Sequence, residues 1–155
     1  MSIFFDTSVL LAGLIDFGPQ SAPAQSILHA VAEKSIPEPT TAWHCCLEFY
    51  SVSTRLPPEY RLSAADAARL VQEEIFGRFI VHDLPASQRG DFIRSAALDQ
   101  VSGGRIYDAH IAEVARAARA TVIATDNRRH FISALRYGIR VETLTEFVAS
   151  MKNRR

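Results

Sequence analysis

Cysteine is scarce in this chain and poorly placed for covalent or metal work. Its two copies, Cys45 and Cys46, are neighbours; adjacency forbids ordinary disulfide geometry and offers no CxxC spacing for a metal. A reducing compartment is the expectation. Long apolar runs are also missing. The hydrophobic start is interrupted by Asp6 and Asp16 and has no basic region before it, so neither a secretory leader nor a membrane span is expected and the chain reads as soluble and cytoplasmic. Net charge is absent as well: 17 Lys+Arg balance 17 Asp+Glu, with a pI near 7.0. That excludes a uniformly basic nucleic-acid binder and leaves room for a local basic patch. The charges are unevenly spread. Acidic residues outnumber basic ones before Ile75, and the balance reverses after Thr125 through Arg128, Arg129, Arg136, Arg140, Lys152, Arg154 and Arg155. No repeat, linker or low-complexity stretch is visible.

What is present is a chain of 155 residues, 48% hydrophobic, enough for one domain over 1–155 with a sizeable core. Residues 2–5 read as a buried strand and 8–15 as a short helix that breaks at Gly18 and Pro19. SAPAQSILHAVAEK has helical spacing as far as Lys34, IPEPTT holds a short extended segment, and WHCCLEFYSVST is a helix that stops before Pro57 and Pro58. Ser63 and Asp66 have capping-box spacing ahead of AARLVQEEIF. RFIVHDL is a strand, SQRGDFIRSAALDQV a helix ended by Gly103 and Gly104, and RIYDAHIAEVARAARA a strong alanine-rich helix. The strand TVIAT, the short helix RRHFISALRYG with a glycine cap, the strand IRVET and the helix EFVASM complete the order. Short strands alternating with helices predict an α/β fold, a three-layer α/β/α sandwich around a central, mainly parallel sheet.

Certain acids sit where a charge is unexpected. Asp6 stands between the apolar strand and Thr7 and Ser8, where it serves either as a helix cap or as a ligand beyond the carboxyl end of a strand. Glu48 lies among apolar neighbours in AWHCCLEFYSV. A buried carboxylate costs several kcal/mol unless partnered, so Glu48 either has a metal, an Arg or other donors, or reaches a helix edge. Asp108 complements the start of its helix, yet its helical spacing from Ile111, Ala112 and Ala115 turns it towards the sheet. Asp126 and Asn127 follow TVIAT directly, as turn formers or as site residues. If the strands of Asp6 and Asp126 are neighbours, these acids converge without matching cations. Such a cluster is tolerable mainly around a divalent cation, and oxygen donors select Mg²⁺ or Mn²⁺ over Zn²⁺.

FFDTSVL, the Glu48 helix, GGRIYDAHIA and VIATDNRRHF, in this order and spacing, resemble the PIN domain, and within it the VapC-type toxin ribonucleases of bacterial toxin–antitoxin pairs. The resemblance covers essentially the whole chain. It implies Asp6, Glu48 and Asp108 as the three principal acids. The family's Thr, any residue, Asp or Asn pattern, counted back from Phe131, sets Thr125 at the Thr and Asn127 at the fourth site position, with Asp126 as a neighbouring carboxylate able to substitute. Thr7 or Ser8 would support Asp6. The implied chemistry is hydrolysis of an RNA phosphodiester assisted by Mg²⁺ or Mn²⁺ held by Asp6 and Asp108, by Glu48 partly through water, and by Asn127. His44, His110 and His130 lie in helices or their flanks and read as structural. Arg105, Arg128 and Arg129 are candidates for holding phosphate, while Trp43, Phe49 and Tyr50 read as core. A VapB-type antitoxin and a homodimer within the toxin–antitoxin complex are the implied partners, with TRLPPEYRL a loop available for binding.

Two other enzyme classes that place an Asp after the first strand fit less well. A haloacid dehalogenase-type phosphatase needs a second Asp where Ser8 stands. A response-regulator receiver needs a late Lys, and the only lysines are Lys34 and Lys152. The non-enzymatic alternative is a PIN-like module that only binds RNA or protein.

Overall fold

The computed structural model describes residues 2–154. Its first strand, β1 (Ser2–Phe5), is buried along its whole length, the continuous apolar signature of a strand covered on both faces. Helices α1 (Thr7–Leu14) and α2 (Ala22–Ala32) follow, then β2 (Pro39–Ala42), α3 (Trp43–Ser53), α4 (Ala64–Leu70), β3 (Ile80–His82), α5 (Ala86–Leu98) and α6 (Arg105–Ala117). The chain ends with β4 (Ala120–Ala124), a 3₁₀ helix over Arg128–Tyr137, β5 (Arg140–Glu142) and α7 (Leu144–Asn153). The five strands form one sheet in the order β3-β2-β1-β4-β5. Every pairing is parallel, with Phe4 opposite Thr40 on one side and Ile123 on the other.

That order places the site. From β1 the chain builds outward through β2 and β3, then returns to add β4 on the opposite side of β1. The reversal leaves a crevice beyond the carboxyl ends of β1 and β4, the place where open parallel sheets bind ligands. Asp6 and Thr125 are the residues that step out of these two strands. The expected α/β sandwich is therefore present, with a wholly parallel sheet flanked by helices: α1, α2 and α7 pack in sequence, and α5, α6 and the 3₁₀ helix pack together elsewhere.

Phe4, Phe5, Phe49, Phe131 and Phe147 are the bulkiest fully buried side chains. Phe5 meets Phe147 edge-on at 5.4 Å and Phe79 at 5.9 Å, contacts that tie the central strand to the last helix and to the segment entering β3. Such packing is worth ~1 kcal/mol per pair beyond area burial. The Ser63 cap forms, its hydroxyl accepting from the Asp66 N–H at 3.1 Å.

The structure corrects some expectations. Of the three aromatics read as core, only Phe49 is internal; Trp43 and Tyr50 are 43% and 40% exposed, because they sit with exposed Leu47 at the solvent edge of the inward stripe of Cys45, Cys46 and Phe49. The segment 128–137 is a 3₁₀ helix rather than an α-helix, closed by Gly138 at φ 75°, a conformation that glycine adopts without steric cost. The helix that contains Glu73 ends in a π turn over Val71–Ile75. Gly77 follows because a Cβ there would lie 2.3 Å from the Glu73 carbonyl oxygen.

Candidate functional site

Asp6 turns out to be both a cap and the buried centre of a hydrogen-bond network. Its Oδ1 accepts from the Ser8 backbone N–H at 3.1 Å and from the Ser8 hydroxyl at 2.5 Å. Its Oδ2 accepts from the Thr125 hydroxyl at 2.6 Å, across the β1/β4 junction. Thr125 Oγ1 in turn accepts from the Asn127 N–H at 2.9 Å, and Ser8 Oγ accepts from the Asp126 N–H at 3.2 Å. The turn after β4 is thus fastened to the turn after β1 by two hydroxyls. Only 4% of Asp6 is exposed. Burial pushes its carboxyl up from 3.8 to about 6, against the pull of the Ser8 and Thr125 hydrogen bonds.

Glu48 and Asp108 arrive on α3 and α6, close enough for their charges to interact. Burial raises the Glu48 carboxyl, and Asp108 raises it further, while His44 and Thr7 oppose both. His44 Nε2 lies 3.0 Å from Glu48 Oε1, and His130 Nδ1 lies 3.4 Å from Asp108 Oδ2. Thr7 Oγ1 is buried beside this pair without a hydrogen bond of ordinary geometry. Cys45 is interior too, its thiol pushed up to about 12 by burial, and so it stays protonated and unavailable as a ligand at neutral pH.

The residues expected to converge are not all equivalent in the fold. Asp6, Ser8, Thr125 and the backbone N–H groups of Asp126 and Asn127 form one connected unit, Thr7 lies outside it, and Glu48 and Asp108 form an interacting pair. Asp126 is exposed and turns its Oδ1 to the Leu144 N–H at 3.5 Å, at the start of α7. Asn127 is exposed in the same turn. Arg105 and Arg129 line a groove of about 1000 Å³ between α5, α6 and the 3₁₀ helix, together with Asp108 and His130. Arg128 instead pairs with Glu146. Farther along the groove Arg116 and Arg136 both lie 5.3 Å from the Tyr137 ring and pair with Glu113 and Asp99.

Two contacts escaped the sequence reading. The histidines read as structural touch the acids: His44 meets Glu48 and His130 meets Asp108. The first had a usable signal, since His44 and Glu48 are four residues apart on one helix face. The second joins residues 22 positions apart through α6 and the 3₁₀ helix, and nothing local marks it.

A family model described as PIN domain matches residues 2–129. The chain belongs to the PIN domain family. Among relatives, Ribonuclease VapC40 of Mycobacterium tuberculosis is 32% identical over 127 residues, covering 79% of this chain and 85% of that protein. Ribonuclease VapC27 of M. tuberculosis is 40% identical over 86 residues, covering 55% of this chain; the match spans 60% of VapC27. A solved structure of M. tuberculosis VapC20, described as a Sarcin-Ricin loop cleaving toxin, superposes with a TM-score of 0.60 at 20% identity, over 81% of this chain and 91% of that one. At that identity it speaks for the PIN fold alone.

The donor set of this PIN domain suits a hard divalent cation. Its acids supply oxygen only, and the mutual repulsion of Glu48 and Asp108 is relieved by positive charge. Among the described residues, no three His, Cys, Asp or Glu side chains are gathered tightly enough to hold a metal as they stand. Among them, too, no helix is long and apolar enough to cross a membrane.

Proposed function

We propose that this chain is a divalent-metal-dependent endoribonuclease of the VapC type, a single nuclease unit over 1–155 acting in the cytoplasm as the toxin of a toxin–antitoxin pair. The observation that carries the reading is the buried Asp6 at the β1/β4 reversal, within a PIN domain whose relatives are ribonucleases. A carboxylate that costs stability to bury and is held on three sides by donors has a purpose other than folding.

Asp6, Glu48, Asp108 and Asn127 would hold Mg²⁺ or Mn²⁺. The bound cation supplies charge neutralisation at the phosphoryl oxygens and an acidified water. Ser8 and Thr125 hold the Asp6 carboxylate in one orientation, so it needs no rearrangement on meeting a ligand. His44 and His130 orient Glu48 and Asp108, which stay partly exposed. Arg105 and Arg129, beside Asp108 in the groove, would grip the phosphates of an RNA strand. Asp126 serves the turn and the start of α7, leaving the fourth site position to Asn127.

A cell that makes such an enzyme needs it neutralised until required. A VapB-type antitoxin covering the acidic crevice is the partner we propose, with a homodimer of this chain inside the complex. The decisive test maps new RNA ends after total cellular RNA is incubated with the protein plus Mg²⁺ or Mn²⁺, or plus chelator, alongside Asp6→Asn. Metal-dependent cuts absent from the variant are expected. Cuts that survive chelator, or that Asp6→Asn makes as fast as the parent, would overturn the reading.

A further inference from the structure

We infer that the cleft on the α3 side of the acids, walled by Trp43, Leu47, Phe92 and Ile93 with Asp83 and Arg89 as its charged lining, is a pocket for one guanine base of the RNA. The inference rests on the ribonuclease reading and names a specificity site within it.

The cleft has a volume of about 390 Å³. His44 is part of its wall and also contacts Glu48, so the cleft begins one helical turn from a site acid, about 5.4 Å along α3. A base seated there belongs to a nucleotide next to the phosphate at the acids. Its rings are held in place before any ligand arrives. Phe76 stacks on Trp43 at 6.1 Å and 28°, His110 meets His44 at 5.9 Å and Phe92 at 5.8 Å, and Tyr107 lies nearly parallel to His44 at 5.4 Å. Preset aromatic faces are what single-stranded RNA bases stack on. Exposed Trp43, Leu47 and Ile93 are hard to explain as core, and they line this cleft.

The charged lining narrows the choice of base. Asp83 Oδ1 accepts from the Leu84 N–H at 2.8 Å, and Arg89 Nε donates to the Leu84 carbonyl oxygen at 3.3 Å. One residue, Leu84, therefore tethers a carboxylate through its N–H and a guanidinium through its carbonyl in the same cleft, with the second Asp83 oxygen and the terminal N–H groups of Arg89 outside those two bonds. Guanine carries adjacent N1–H and N2–H donors for a carboxylate and O6 and N7 acceptors for a guanidinium. Adenine, cytosine and uracil lack that combination of a paired-donor edge and a paired-acceptor edge.

Trp43 is the only tryptophan of the chain, so intrinsic fluorescence reports on this cleft without any need for activity. The full chain is titrated with GMP, AMP, CMP and UMP. The expected result is a saturable change in which GMP binds roughly tenfold more tightly than the others, with that preference lost in Asp83→Asn and all four weakened in Ile93→Ala. Both positions are surface-accessible, Asp83→Asn keeps an oxygen for the Leu84 N–H, and circular dichroism checks the fold. No saturable change with any nucleotide, equal binding of all four, or an unaltered GMP preference in Asp83→Asn would overturn the assignment. RNA-end mapping on the same proteins separates it from the parent reading. Cuts beside guanine that lose this bias in Asp83→Asn support the pocket, and cuts with no base bias refute it while leaving the ribonuclease intact. If the parent cuts nothing, the ribonuclease reading fails and the GMP titration still decides the pocket.

Discussion

Replacing Asp6 by Asn is expected to stabilise the metal-free protein while abolishing its activity. The buried carboxyl ionises near 6 in the fold against 3.8 for a free side chain. Because the folded value is the higher one, folding is favoured fully below pH 3.8, and that advantage is lost as pH rises to about 6. Above this the ionised Asp6 is destabilising by about 3 kcal/mol relative to its protonated form. Asn carries no such penalty. Its amide group does require one of the two hydroxyls that now donate to Asp6 to turn and accept, and Thr125 Oγ1 already accepts from the Asn127 N–H, so a net gain of ~1–2 kcal/mol at pH 8 is the reasonable figure. For a chain of this size that is a rise in Tm of about 3–6 °C. Thermal unfolding with chelator at pH 8 and at pH 4.5 checks it: the variant should lead at pH 8, and the difference should shrink at pH 4.5. Excess Mn²⁺ should reverse the order at pH 8, since only the parent gains binding energy from it. An Asp6→Asn protein less stable than its parent at pH 8 without metal would show that the carboxylate is not carrying a burial penalty, and the argument from stability to function would collapse.

Other expectations follow from neighbouring contacts. Thr125→Val removes the donor to Asp6 and the acceptor of the Asn127 N–H, and should cost about 2–3 kcal/mol in urea unfolding at pH 8 and less at pH 4.5, where Asp6 is largely protonated. His44→Ala removes a contact that holds the Glu48 carboxyl down against burial and Asp108; the acid limb of the cleavage pH profile should move to higher pH, and an unmoved limb would separate His44 from Glu48 function. Arg129→Ala and Arg105→Ala should each weaken RNA binding and lower the slope of log affinity against log salt by about 1. Arg128→Ala, whose guanidinium is engaged with Glu146, should leave that slope unchanged, as a salt titration of RNA binding would reveal.

How much was legible in the sequence depended on whether the signal was local. Alternating strands and helices predicted the parallel sheet, and Asp6 after an apolar strand was suspect on its own residues. The approach of Asp6 to the turn that carries Asp126 and Asn127 was expected only on the condition that their strands were neighbours; β1 and β4 do pair, and the direct bond from Thr125 to Asp6 comes from the structure alone. Trp43 and Tyr50 were misread because apolar residues occur on every side of α3 and hide which side faces out; Cys45, Cys46 and Phe49 already fill the inward stripe. The same crowding explains Glu48. With one helix face full, its carboxyl is left half-exposed at the edge, facing His44 and Asp108 rather than the core.

The site's acids differ in what holds them, and the difference orders their roles. Asp6 is fixed by Ser8 and Thr125, which belong to the sheet crevice and cannot move without unpicking the β1/β4 junction. Glu48 and Asp108 are held by a histidine each, on helices and at partly exposed positions. A rigid acid and two adjustable ones suit a cation that must keep its place while the phosphate and water around it change. In the proposed site Asp6 would therefore be the anchor, and changes at His44 or His130 should tune the reaction where changes at Ser8 or Thr125 would undo the site.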